Sequence, residues 1–511
     1  MSKRTLIGID GTGAACIKIM ADASYDPLTT PDSDYAKFDF NSKDAGFFQY
    51  AGSDVASYGG NSNFRNYYPG GTGSSNYGRA DIGNTLGYTW VAWTKDYFPN
   101  LDYALPVHDM KRVIGGWVQG ALVSQKSYGF QNRAGEYALW QAQEGGWMQS
   151  WSSPNFAELG GSKVNLIGTR PATSTWPLDV GDRQLVVWNL PGDETALLSP
   201  PLAPVPGQMS VQINSTQCRV AKTGYDVRTA SRTQLAFDSV NRPLKVIYAA
   251  DLAVPSGTTN LDMTPYLRGI GVTGQLLVDI SAYTGGTLYF PTTPATFNTN
   301  FGIQYIVSGT TVVLNNPYGA CRARVVVFAS DNSAQTVGSN RVLRQFNDGT
   351  QDVVQFLRPG ASNTPSLADV IIDSRWPTLR ILAQGTIGLS GGNGVQYSIP
   401  FNSNGLFPIV KFMTIHGGGT NTQFNGSFGK RVRTPFTKLI YYNNDAGTVV
   451  TSGDSTYCLL TANEARFFSF IGNPIAYTST SSNVSPGYTI GTTGDANPPY
   501  AIRYYILGIP A

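Results

Sequence analysis

Short runs of apolar, β-forming residues alternate along this chain with polar stretches rich in turn formers. Runs such as "RVVVF" (Arg324–Phe328) and "LRIL" (Leu379–Leu382) are bounded by Gly, Asn, Ser and Pro, a pattern that is typical of β-strands. Only "DMKRVIGGWVQGALVSQ" (Asp109–Gln125) has some helical character, and its internal glycines favour strands there as well. The pattern therefore predicts an all-β fold of small antiparallel sandwiches.

One sequence signature occurs twice, and a looser version occurs a third time. The two clear copies are "AKTGYDVRTASRTQLAFDSVNRPLKVI" (Ala221–Ile247) and "LRPGASNTPSLADVIIDSRWPTLRIL" (Leu357–Leu382). Near its start, each copy has a basic residue followed by any residue and then Gly. Further on, each has an apolar residue followed by Asp-Ser. The looser copy, "SYDPLTTPDSDYAKFDF", shares Tyr-Asp-x-x-Thr with the first of them and ends at Phe38-Asp39. Self-similarity of this kind predicts a chain of repeated structural units.

Two further patterns follow each copy. A turn leads into an apolar strand in "NTLGYTWVAW" (84–93), "LRGIGVTGQLLVDI" (267–280) and "NSNGLFPIVKFM" (402–413). A second strand then closes each unit, in "DRQLVVWN", "CRARVVVFAS" and "AIRYYILGIP". We therefore predict three tandem β-sandwich-like modules, of which the first carries a large aromatic and Gly-rich insertion, the second is compact, and the third carries loop insertions: 1–195, 206–330 and 345–511.

Composition excludes several classes of site. Only 14% of the residues are charged and the net charge is +3, so we expect no nucleic-acid partner. No run approaches the ~20 apolar residues that span a bilayer, so we expect no membrane span. The four cysteines are widely spaced and form no CxxC pair, so we expect no zinc site, disulfide framework or cofactor.

The opening "LIGIDGTGAACIK" is similar to the first phosphate loop of sugar kinases and actin-like ATPases. Asp10 is followed directly by Gly11-Thr12, however, which is one residue shorter than in that loop. The nearest second loop, "VDISAYTGGT", has five residues between its Asp and its Gly-Gly pair. A hairpin corner at Asp10-Gly11 is therefore the favoured interpretation over nucleotide binding.

The first module suggests a carbohydrate-binding surface, because tryptophans are frequent in it. Exposed aromatic residues beside two carboxylates would suit glycan binding or cleavage, whereas tryptophans in β-modules more often fill cores and interfaces. No nucleophile elbow accompanies His108-Asp109, so we expect no enzymatic activity and no catalytic residues. The candidate glycan or interface contacts are Trp90, Trp93, Trp117, Trp140 and Trp147.

The repeated Asp-Ser pairs, Asp238-Ser239 and Asp373-Ser374, are predicted to fix turns. Asp and Ser side chains can accept hydrogen bonds from backbone amides one or two residues further on. The alternative is metal binding by Asp238 or Asp373, which needs several more oxygen ligands. No D-x-D-x-D-G loop surrounds either residue, so we predict no metal site.

The repeated signature resembles small virion proteins of tailed bacteriophages. "KTGYDVRTASRTQLAFDS" matches the first half of the pattern of that family and "NTLGYTWVAW" matches the second half. The resemblance implies a non-enzymatic structural component of the virion, most simply in the tail tip, a fibre or an associated ring. The alternatives are a receptor-binding, glycan-binding or glycan-degrading tail protein, and a head decoration or collar protein.

The same resemblance implies partners and a location. We expect a homo-oligomer of three- or sixfold symmetry that contacts other phage virion proteins, with host surface glycan as a further possible ligand. The protein would be synthesised and assembled in the cytoplasm of the bacterial host and then reside in the virion.

Overall fold

A computed structural model describes part of the chain in full and further strands by their backbone pairing. The fully described residues are 2–45, 116–118, 203, 205–230, 234–239, 244–271, 274–284, 288–290, 303–317, 319–331, 333–338, 341–390, 395–414, 456–469 and 500–510.

The described chain is all-β, as predicted, and no helix of seven or more residues occurs in it. The strands before residue 195 are β1 Thr5–Ile9, β2 Ala15–Met20, β3 Phe38–Asn41, β4 Gln49–Ala56, β5 Phe64–Asn66, β6 Tyr77–Gly83, β7 Thr89–Lys95, β8 Val107–Ile114, β9 Trp117–Gln119, β10 Val123–Ser124, β11 Tyr137–Gln143, β12 Gly146–Ser152, β13 Asn165–Thr169 and β14 Asp182–Asn189. The strands of the middle segment are β15 Val211–Ile213, β16 Cys218–Ala221, β17 Leu235–Asp238, β18 Lys245–Val254, β19 Gly257–Asp262, β20 Gln275–Tyr283, β21 Leu288–Phe290, β22 Asn300–Phe301, β23 Gln304–Ser308, β24 Thr311–Asn316 and β25 Cys321–Ser330.

The strands of the last segment are β26 Leu343–Asn347, β27 Asp352–Leu357, β28 Val370–Asp373, β29 Arg380–Gly388, β30 Val395–Pro400, β31 Phe407–His416, β32 Gly419–Asn421, β33 Gly426–Phe428, β34 Arg431–Arg433, β35 Thr437–Asn443, β36 Thr448–Ser452, β37 Ser455–Leu460, β38 Glu464–Phe470, β39 Thr489–Thr493 and β40 Pro499–Ile509. Short 3₁₀ turns occur at Tyr35–Lys37 and Thr264–Leu267. Among the strands given above, neighbours pair antiparallel except for β36 with β39, which are parallel.

Three three-stranded sheets share one design, and we call them hairpin units. Their strand orders are β1-β2-β3, β15-β16-β17 and β26-β27-β28. In each unit the third strand carries one extra residue at the same place in the ladder, at Asp39, Ala236 and Ile371. A shared bulge at a shared register position is strong evidence that the three units are copies of one structure.

The hairpin units bury their equivalent residues in one common core. The middle strands contribute Ile17, Cys218 and Val354, which occupy the same register position in their three units. The rings of Phe237 and Phe356, from different units, lie 5.6 Å apart in an edge-to-face contact. Equivalent residues of three units with the same strand order therefore meet in one core inside a single chain.

A second set of three sheets repeats in the same way, and we call these the second-layer sheets. They are β4-β14-β8, β18-β25-β20 and β29-β40-β31; the first is part of a seven-stranded sheet and the third of a four-stranded one. Their first strands share a bulge, which falls at Ala51, Ile247 and Leu382. The three closing strands predicted from the sequence are the central strands β14, β25 and β40.

One predicted equivalence is wrong. "NTLGYTWVAW" was expected to match the strands β20 and β31, but its strand β7 lies in a separate sheet of order β13-β7-β6-β5. The equivalent position is occupied by β8, because β8 pairs with the central strand β14. The long insertion separates the signature from its true counterpart. The strand β7 (TWVAWTK) is also more apolar than β8 (VHDMKRVI), which contains His, Asp, Lys and Arg.

Strands also pair across the three predicted segments. Examples are β9 with β23, β21 with β37, and β11 with β35. One of the two large cores of the second layer likewise combines residues of the middle and last segments, such as Phe328 and Ile506. The repeats therefore share sheets and cores.

Candidate functional site: the hairpin tips and the junctions between repeats

The tips of the three hairpins have the same side-chain chemistry. Asp10, Asn214 and Asp348 each use the side-chain oxygen Oδ1 to accept bonds from the amide and hydroxyl of a Thr two residues further on. The three segments are "DGTG", "NSTQ" and "DGTQ". The opening loop is thus one of three equivalent β-hairpin tips, in agreement with the hairpin corner predicted there.

The first tip holds a cluster of ionic groups. Lys18 Nζ lies 2.7 Å from Asp10 and 2.8 Å from Asp32, and Lys43 Nζ lies 3.0 Å and 2.6 Å from the same two carboxylates. Burial opposes ionisation of Asp10, but hydrogen bonds from Lys18, Thr12 and Lys43 outweigh it and hold its pKa well below the usual range. Two cations and two anions therefore neutralise each other.

This arrangement leaves the loop poorly suited to phosphate. The Asp10 side chain is fully buried, and Lys18 is 2% exposed. Both lysines already contact two carboxylates, and the chain after the tip continues as strand β2 rather than as a helix whose N-terminus could hold an anion. The loop therefore resembles a nucleotide-binding loop in its sequence and not in its structure.

A basic residue accompanies the acidic tips and is absent where the tip is neutral. Lys43 pairs with Asp10, and Arg375 Nη1 lies 3.4 Å from Asp348. Both cations directly follow the Ser that ends the third strand. The neutral tip residue Asn214 is matched by Val240 at the equivalent sequence position. Each acidic tip residue thus has a basic partner from its own repeat.

The predicted Asp-Ser corners lie at the ends of the third strands of their units. The hydroxyls of Ser239 and Ser374 accept the amides of Cys218 and Val354 on the neighbouring strand, at 2.7 and 3.0 Å. In the first unit, Ser42 makes the same bond to Ile17, at 2.9 Å. Each serine hydroxyl thus adds a hydrogen bond between the end of the third strand and the neighbouring middle strand. In these bonds it does not accept an amide one or two residues ahead.

The aspartates of these corners bond across the strand as well. Asp238 accepts from Arg219 at 3.2 Å and Asp373 accepts from Gln355 at 2.5 Å, both on the middle strand. Asp373 also accepts the amide of Arg375, two residues ahead, at 3.0 Å, which is the local bond expected of a turn-fixing carboxylate. No group of three or more potential metal-ligating His, Cys, Asp or Glu residues occurs among the residues described.

A buried arginine joins the first and last repeats. Arg380, at the start of β29, is 0% exposed. Its Nη1 lies 2.8 and 2.9 Å from the two carboxylate oxygens of Asp44, and its Nη2 donates to the Phe38 carbonyl at 3.1 Å. The Ile381 amide adds a 2.7 Å bond to the Asp44 carbonyl. Both Nη atoms of this buried cation are thus bonded by groups from the other end of the chain.

A second buried ion pair joins the middle and last repeats. Lys411 Nζ on β31 lies 2.7 Å from Asp279 Oδ2 on β20, with both side chains almost completely buried. Nearby, the Arg324 guanidinium stacks 4.5 Å from the centre of the Phe407 ring. Two ion pairs between repeats, Arg380–Asp44 and Lys411–Asp279, therefore lie in the interior.

The candidate tryptophans fall largely outside the described side chains. Trp117 is half-buried in β9 and pairs with Ile114. The backbone places Trp90 and Trp93 in β7, Trp140 in β11 and Trp147 in β12, and their side chains lie outside the described residues. Whether they form a groove stays a prediction to be tested.

The four cysteines are free and buried: Cys16, Cys218, Cys321 and Cys458. Burial raises the pKa of the Cys16 and Cys218 thiols to about 11, so these two are protonated at neutral pH and poor nucleophiles. Among the described residues no helix is long and apolar enough to cross a membrane.

Comparisons of the chain with known protein families, with curated proteins and with solved structures found no match.

Sequence reasoning missed two of the recurring features. The hairpin tips share only the Asx-x-Thr spacing, which is too short to stand out in a search for repeats. The corner of the first unit is Phe40-Asn41-Ser42, two residues beyond the predicted Phe38-Asp39. Asn41 occupies the register position of Asp238 and Asp373. Asp39 was matched to them in the sequence, but it is the bulge residue of the strand.

Proposed function

We propose that the chain is a non-enzymatic structural component of a tailed-phage virion, most simply in the tail tip, a fibre or an associated ring. The observation that carries the proposal is the closed arrangement of three equivalent hairpin units around one core. A rigid scaffold with approximate threefold symmetry suits a particle built on rotational axes. The resemblance of the repeated signature to virion proteins supplies the phage context.

The buried charges of the described residues agree with a structural role. Asp10, Lys18, Arg380 and Lys411 all have partners of opposite charge within hydrogen-bonding distance. Perturbed titratable groups at catalytic sites commonly lie in a cleft that a substrate can enter. Here they lie between strands and between repeats, where they hold the fold together.

Assembly with neighbours is part of the proposal. We propose contacts with other virion proteins and a homo-oligomer of three or six chains, formed in the host cytoplasm and retained in the virion. The outer strands β1, β15 and β26 end their three-stranded sheets on one side. Open strand edges can pair with edges of neighbouring subunits.

A head decoration protein is the second candidate, and the internal threefold arrangement favours it. A chain that already contains three equivalent units can occupy a local threefold position of a lattice as one copy. A tail ring instead needs several chains around the tail axis. The number of copies per particle therefore separates the two candidates.

The direct test is to purify the particles and identify their proteins by mass spectrometry after a high-salt wash. We expect the chain to remain with the particle at a fixed copy number, and the isolated chain to turn over neither ATP nor host polysaccharide. Absence from washed particles, or measurable turnover by a compact monomer, would contradict the proposal. Binding of host polysaccharide without cleavage would instead favour the receptor-binding alternative.

A further inference from the structure

One position of the second-layer sheets carries an arginine in both the middle and the last repeat. The shared bulges align Arg324 of β25 with Arg503 of β40. Each arginine is paired with one residue of the neighbouring first strand, Asp251 on β18 and Thr386 on β29. Side chains of directly paired residues lie on the same face of a sheet. The two arginines therefore occupy the same position, but only one of them has an acidic residue opposite it.

In the middle repeat, a carboxylate of the chain itself balances the charge of this arginine. Arg324 Nε lies 3.4 Å from Asp251 Oδ2, and Arg322 Nη2 lies 2.8 Å from Asp251 Oδ1. The Tyr283 hydroxyl donates to the same carboxylate at 2.6 Å. This repeat thus shows that a carboxylate fits beside the arginine at this register of the sheet.

In the last repeat, the equivalent arginine is buried and has no ion pair within the described part of the chain. Arg503 is 4% exposed, and its Nε has no hydrogen-bond partner there. Its Nη2 donates one long bond, of 3.4 Å, to the Tyr505 hydroxyl, and its guanidinium lies 4.8 Å from the centre of the same ring. A buried cation without a counter-charge is costly, so an anion placed beside Arg503 would be bound favourably.

The sheet face beside Arg503 leaves room for an anion. Thr386 is exposed, so this face opens to solvent next to the arginine. The next cross-strand pair on the same face is Gly388 with Ala501, and the middle repeat has Arg322 at the position of Ala501. A Cβ built on Gly388 would lie more than 4 Å from every atom outside its two chain neighbours. Small side chains in the last repeat thus leave open the space that larger, charged ones fill in the middle repeat.

We infer that the space beside Arg503 and Thr386 binds a carboxylate from outside the chain, at the position that the Asp251 carboxylate occupies in the middle repeat. A guanidinium can donate two parallel bonds to a carboxylate, and Arg503 Nε has no other acceptor among the described residues. The carboxylate comes either from a small organic acid in solution or from an acidic side chain of a neighbouring copy, and the chemistry is the same in both cases. This inference does not depend on the proposed function.

The test uses denaturant titration of the full chain at neutral pH and constant ionic strength, with acetate as the probe. Acetate should raise the folding equilibrium constant by a factor of 1 + [acetate]/Kd, because it binds the folded chain. Thr386→Asp installs the carboxylate of the middle repeat. It should raise the constant about tenfold or more without acetate and abolish the acetate effect. The controls are Thr386→Asn, which has no charge, and Thr258→Asp, at an exposed position of β19; both should behave like the unmodified chain.

Protein concentration distinguishes the two sources of the carboxylate. If a neighbouring copy supplies it, the unmodified chain becomes more stable as its concentration rises, and Thr386→Asp removes that dependence. If a small acid supplies it, acetate stabilises the chain equally at every protein concentration. The inference is wrong if Thr386→Asp is no more stable than Thr386→Asn, or if the acetate effect persists unchanged in Thr386→Asp. It is equally wrong if the unmodified chain responds neither to acetate nor to its own concentration.

Discussion

Individual serines connect the strands within each hairpin unit. Ser42, Ser239 and Ser374 are buried, and each satisfies the amide of an interior residue on the neighbouring strand. Replacement of any one by Ala leaves a buried amide without that acceptor, so each should cost about 1 kcal/mol of unfolding free energy. Ser24→Ala, at an exposed turn, should cost much less. Equal effects at all four positions in urea titrations would show that the shared bond is unimportant.

The corner aspartates allow a separate test of the metal alternative. Asp238→Ala and Asp373→Ala should each lower the unfolding free energy by about 1 kcal/mol, because each removes a cross-strand hydrogen bond. A chelator should leave the melting temperature of the unmodified chain unchanged. A large loss of stability in chelator would mean that these carboxylates bind a metal ion.

The Asp10 carboxylate should make stability depend on acid pH. Its pKa is lowered in the folded chain, so the unfolded chain binds the proton more readily. The resulting stabilisation is complete above the unfolded value of about 4 and is lost as the pH falls below it. Asp10→Asn should therefore lose stability at pH 7 and show a flatter dependence between pH 5 and 2. An unchanged acid profile in this variant would contradict the ionic cluster.

At the scale of strands, the junction between β3 and β29 depends on one buried pair. Asp44→Ala leaves Arg380 uncompensated in the interior, which should cost about 3–5 kcal/mol. The double change Asp44→Leu with Arg380→Met removes both charges and should recover most of that loss. The exposed pair Asp226–Arg228 is the control, and its Asp226→Ala variant should cost much less than Asp44→Ala, because solvent screens an exposed ion pair. Denaturant titration of these three variants and of the unmodified chain measures these differences.

The sequence predicted single strands well and their partners less well. The Asp-Ser corners and the closing strands are local patterns, since each depends on a few neighbouring residues. The pairing of β9 with β23 and of β21 with β37 joins residues more than 150 positions apart, and no local pattern encodes it. In the first repeat the third strand of the second layer is β8, which is preceded by the long insertion that contains "NTLGYTWVAW".

The candidate site shows the same limit. The sequence marked Asp238 and Asp373 because their neighbourhoods are similar, but it could not show that Asp279 and Lys411 are equivalent. Those residues differ in charge, and their equivalence appears only through the register of the sheets: Val327 and Ile506 align at the shared bulges, and their partners Val278 and Val410 each precede the charged residue. No local pattern reveals a contact between residues of unlike type.

The molecule as a whole should unfold as one unit. One core is shared by all three hairpin units, and another combines the middle and last repeats. Loss of one repeat exposes apolar residues of the others, so calorimetric and van't Hoff enthalpies should agree within a single transition. Three separate transitions, one for each predicted segment, would show that the repeats are independent domains.

A density map of the purified virion tests the central claim most directly, because it shows whether the chain is present and which symmetry surrounds it. We expect density for the three hairpin units around one core, in contact with other virion proteins. We further expect the chains to form a three- or sixfold ring on the tail axis; many copies at local threefold positions of the head would favour the decoration alternative. A complete map of particles produced with this protein, in which every β-rich density is assigned to other chains, would contradict the claim.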